Sequence, residues 1–93
     1  MFHSQREADI QQAEHFHTLL ILHRAELCDH LDHHAIKLAR YDRNRDSVRA
    51  QRKRLRIKEI GAQIRDIDRM THALTSRLLA AQHQVHSTTT ATI

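Results

Sequence analysis

Apolar residues recur along the first half of this chain at heptad spacing, on Ile10, Ala13, Leu20, Leu27, Leu31, Leu38 and Tyr41. His17, Arg24 and His34 occupy the remaining places of the same seam, and Ile21, Cys28 and Ala35 widen it to one side. The second half is more regular. Ile57, Ile60, Ile64, Ile67, Thr71, Leu74, Leu78, Ala81 and Val85 alternate steps of three and four without a fault, with Ile64 inside the all-isoleucine part of the run. That is the periodicity of helices packed along a narrow apolar stripe. The pattern predicts two helices, about 4–41 and 47–85. "SQRE" at Ser4–Glu7 forms a capping box for the first, in which the Ser4 hydroxyl accepts from the Glu7 amide.

The segment between them, "YDRNRDS" (Tyr41–Ser47), has no Gly or Pro to force a break. The register does. Extending the first seam puts it on 45, 52 and 59, whereas the second falls on 50, 57 and 64. A slip of two residues turns a helix by about 200° and moves the stripe to the opposite face. Asn44, Asp46 and Ser47 are also residues that start helices well. The chain therefore reads as all-α: an antiparallel hairpin over 1–86 with its elbow at 42–46, followed by an aperiodic, disordered tail over 87–93. In that hairpin His34 faces Ile57, Leu31 faces Ile60, Leu27 faces Ile64 and His17 faces Leu74. Arg24 comes near Ile67, where Asp66 and Asp68 can pair with it.

A lone hairpin buries one stripe. Leu19, Leu22, Ile36, Met70 and Leu79 lie off it, and leaving all of them in water is unfavourable. Packing as a homodimer into a four-helix bundle, or docking on a partner's helices, removes that cost.

Composition agrees with few turns: one glycine, no proline, and Phe2, Phe16 and Tyr41 as the only aromatics. The single Cys28 excludes an internal disulfide and fits a reducing, cytoplasmic setting. No apolar run reaches membrane-spanning length, and the N-terminal residues lack the apolar stretch of a secretory signal.

The formal charge of +4 is unevenly spread. Residues 1–39 carry three basic and six acidic side chains, residues 40–58 nine and two, and residues 59–93 three and three. The positive charge is thus a mid-chain patch. On a helix, Arg45, Arg49, Arg52, Lys53 and Arg56 fall within about 100° of arc. Like-charge pairs four residues apart, such as Arg49/Lys53 and Arg52/Arg56, are mildly destabilising and suit an anionic counterpart. Phosphate backbone and an acidic protein surface are both candidates.

"RYDRNRDSVRAQRKR" (Arg40–Arg54) resembles the basic region of basic-region leucine-zipper transcription factors, with Asn44, Ser47, Val48, Arg52 and Arg54 at matching positions. The resemblance implies a continuous helix in the major groove, base contacts from Asn44 and phosphate contacts from Arg52 and Arg54. The zipper that follows in that family would here fall on Glu59, Ala62, Asp66 and Arg69. This chain's seam is two residues away on another face, so the family plan is not kept.

Ten histidines are many for this length. Within "CDHLDHH" (Cys28–His34), Glu26, His30 and His34 are spaced one turn apart, the weak outline of a metal site, and no further ligand completes it. No cofactor is expected. Nor does the chain hold a glycine-rich phosphate loop, or a nucleophile with a base and an orienting group. The reading is a non-enzymatic protein–protein interaction module (adaptor, chaperone or inhibitor) that self-associates. Nucleic-acid binding through 43–58 is the alternative, and histidine-based metal binding a weaker one.

Overall fold

A computed structural model of the chain describes the backbone of residues 2–91 and the side chains of residues 7–82. Two helices, α1 (Phe2–Arg43) and α2 (Ser47–Ala91), fold back on each other as an all-α hairpin. α1 begins two residues before the expected cap at Ser4, whose side chain lies outside the described residues. α2 begins at the expected Ser47, and its backbone continues helical past the expected end near 85 to Ala91. The side chains of the expected tail, 87–93, and of Val85 lie outside the described residues.

The break between the helices is built from hydrogen bonds. The amide of Asp46 donates to the carbonyl of Tyr41 (2.9 Å) and that of Arg45 to Asp42 (3.2 Å). These are the paired bonds of a Schellman cap. The cap needs one residue in the left-handed region, and Arg45 takes it with φ of 58°. Asp46 then opens α2: its Oδ1 accepts from the Arg49 amide (3.2 Å) and its carbonyl from Ala50 (3.0 Å). An aspartate in this role typically contributes about 1 kcal/mol. The elbow is thus three residues, 44–46, narrower than the expected 42–46. A continuous basic-region helix through Asn44, as the leucine-zipper resemblance implies, is interrupted at the residue meant to read bases.

The core is one stripe. Leu20, Leu27, Ile60 and Ile67 are buried, and Leu31, Ile64 and Leu74 pack against them. Leu38, Ile57 and Leu78, the other expected seam residues, are half-buried. Ala50, one heptad before Ile57, is also buried and carries the seam to the elbow. The rod measures 71 × 20 × 14 Å with a radius of gyration of 20.8 Å. A compact domain of this length would have a radius of about 12 Å.

Candidate functional site

Polar contacts across the stripe fix its register. The Arg24 Nε donates to Asp68 Oδ1 at 2.7 Å, so of the two expected partners Asp68 is used, while Asp66 pairs with Arg69 one turn on. Arg24 occupies a seam position yet swings outward to make this pair and is half-exposed. Its guanidinium is held charged by the hydrogen bond and attraction from Asp68, with a smaller electrostatic attraction from Cys28. Nη1 also donates to the Cys28 Sγ at 3.7 Å. Lower down, Thr75 Oγ1 donates to the Thr71 carbonyl (2.8 Å) and lies 3.2 Å from His17 Nε2. A hydroxyl has one proton, so it accepts from His17, which places the ring proton on Nε2.

Of the five residues of the expected basic stripe, Arg49, Arg52, Lys53 and Arg56 lie on α2 and Arg45 does not. Arg45 is in the left-handed turn rather than on the helix, beside Asp42, Asp46 and Arg54 around a depression of about 210 Å³. Arg49 sets its Nε 3.5 Å from Asp46 Oδ2 and lies over the Tyr41 ring, 5.9 Å from its centroid. Arg56 pairs with Glu59 (3.0 Å). Lys53 turns inward onto the seam, half-buried, with Nζ 3.1 Å from His34 Nδ1. Among the described residues, Arg52 is the one member of the five that stays exposed on the helix without an ion pair. Arg54 crosses the hairpin to Asp42 (2.8 Å), a cross-helix contact that spacing along one helix does not reveal.

The outline of a metal site at Glu26, His30 and His34 is not assembled. Among the described residues no three potential ligands converge. Glu26 lies 3.8 Å from His23 instead, and His34 faces the Lys53 ammonium. Burial pushes the His34 imidazole below its ordinary range, and the positive charges of Lys53, Arg56, His33 and Lys37 push it further.

Apolar side chains remain in water on the outer faces. Leu19, Leu22, Ile36, Met70 and Leu79, expected off the seam, are exposed, and so are Phe16, Ile21, Val48 and Leu55. On α1 towards the open end, Phe16 and Leu19 join Asp9, Gln12, Ala13 and His15 around a depression of about 390 Å³. Among the described residues no helix is long and apolar enough to cross a membrane.

These features define an elongated two-helix hairpin with apolar outer faces and a cationic elbow. Comparison with protein-family models, curated proteins and solved structures yields no match.

Proposed function

We propose that this chain is a non-enzymatic helical interaction module that pairs with a second copy into a four-helix bundle and binds a partner protein, helix against helix, as an adaptor, chaperone or inhibitor. The carrying observation is surface. The hairpin exposes 7856 Å². A compact monomer of its mass would expose about 5,600 Å². The excess, roughly 2,300 Å², is of the size that obligate homodimers bury. It includes Phe16, Leu19, Leu22 and Leu79, each about half-exposed or more. Burying a large aliphatic side chain contributes roughly 1.5–3 kcal/mol, so a few of them on one face suffice to hold two hairpins together. A free Cys28 supports a reducing, cytoplasmic location.

The test is a variant with the outer face made polar, Leu19→Gln with Leu22→Gln. Neither residue belongs to the buried stripe, so the circular-dichroism spectrum is expected to stay helical while chemical cross-linking between copies is lost. A variant that cross-links as the wild type does would contradict the proposed face.

A further inference from the structure

The hairpin brings the end of α1 beside the start of α2, and the charge consequence is larger than either segment suggests. Residues 37–58 carry ten basic and two acidic side chains, a net of +8; the rest carry five basic and nine acidic, a net of −4. One end of a 71 Å rod therefore holds all of the excess positive charge.

The charge is also sorted between the two edges of the hairpin. The Asp42–Arg54 ion pair and the Arg24–Asp68 pair mark one edge. Turning about 100° per residue from those positions puts Lys37 and Arg40 of α1 on the opposite edge, together with Arg49, Arg52 and Arg56 of α2. Lys53 lies between them on the seam. Among the described residues, only Asp46 and Glu59 answer these six cations, at Arg49 and Arg56. Every charge that acts on His34, which faces the same region, is positive: Lys53 and Arg56 from α2, His33 and Lys37 from α1.

We propose that this second edge of the elbow binds the phosphate backbone of duplex nucleic acid. Three features select that partner. The edge carries no exposed apolar side chain near the elbow, whereas protein interfaces are organised around an apolar centre. The exposed apolar residues of this end, Ile36, Val48 and Leu55, centre on the outer faces, about 100° round from Lys37, Arg49 and Arg56, so these three cations face a different way from the apolar residues that a membrane surface would engage. The edge also lacks an exposed aromatic ring for stacking unpaired bases, since Tyr41 is half-buried beside Arg49. A hairpin 20 Å wide is too broad for a major groove of about 12 Å, so the contact is with backbone and indifferent to sequence. From Arg49 to Arg56 the helix rises roughly 10 Å, the span of about three phosphates of one strand.

The test titrates the full chain against a labelled random-sequence duplex DNA of about 30 base pairs, from 50 to 300 mM salt. Three phosphate contacts give a log–log slope of about −3, and Arg40→Gln with Arg52→Gln flattens it by about two units. The helical circular-dichroism spectrum is unchanged in that variant. The control, Arg65→Gln with Arg69→Gln, removes the same charge away from the elbow and leaves the slope as it was. Equal loss in both variants would reduce the effect to net charge and overturn the proposal. So would a slope near zero, tighter binding to the single strand, or equal binding to polyglutamate or to phosphatidylserine vesicles.

Discussion

Lys53 of α2 and His34 of α1 meet across the seam, Nζ to Nδ1, at 3.1 Å. An ammonium has only protons to give, so Nδ1 must accept and the imidazole must be neutral, with its proton on Nε2. Protonating His34 turns a hydrogen bond into a contact between two cations. Lys53 and Arg56 face the ring from α2, His33 and Lys37 from α1, and among the charges acting on it none is a carboxylate.

This sets the sign of a pH dependence. The His34 pKa in the fold lies below its ordinary value of 6.5. The unfolded chain therefore takes up this proton first as pH falls, and stability is lost from about 6.5 downward until the folded site also titrates. The melting temperature is expected to be flat above pH 7 and to decline towards pH 5. His34→Asn, which cannot be protonated, shrinks the difference between those two pH values. An unchanged difference would assign the sensitivity to other histidines.

Ile60 is fully buried, while Ile64, the next residue of the same seam, is only half-buried. Ile60→Ala is expected to cost about 2–5 kcal/mol by urea denaturation. Val48→Ala, on the outer face of the elbow, is expected to stay within about 0.5 kcal/mol. Similar midpoints for the two would mean that the stripe is not the core.

Arg45 holds a left-handed conformation that glycine adopts at no steric cost. Arg45→Gly is expected to raise stability by about 1 kcal/mol, a few degrees in Tm, whereas Arg45→Ala brings no such gain. A lower Tm for the glycine variant would show that the arginine side chain itself ties the elbow together.

The two-helix plan was legible because it rests on local period and phase. The two-residue slip between the seams argues for a turn over one bent helix, and Asp46 is one of three residues fit to start α2. The pairing of Arg24 with the Asp66/Asp68 neighbourhood followed from the same register. What spacing along a single helix cannot supply is the third direction. Lys53 shares an arc with Arg49 and Arg52, yet it also sits four residues before Ile57 on the seam, and packing drew it inward to His34. Arg45 was assigned to a helical arc because nothing in "RNRD" distinguishes the left-handed residue. Asn44, the usual choice for that conformation, is its neighbour. Glu26, His30 and His34 have ligand spacing along one helix, but where His34 points was decided by the other helix.

The proposed pairing of two hairpins covers the outer apolar faces with another pair of helices. Sedimentation equilibrium of the wild-type chain over micromolar concentrations tests it most directly. The expected result is a mass of twice the 10.9 kDa chain, or a higher multiple, dissociating on dilution with the hairpin still helical. A single species of 10.9 kDa across the whole range would contradict it.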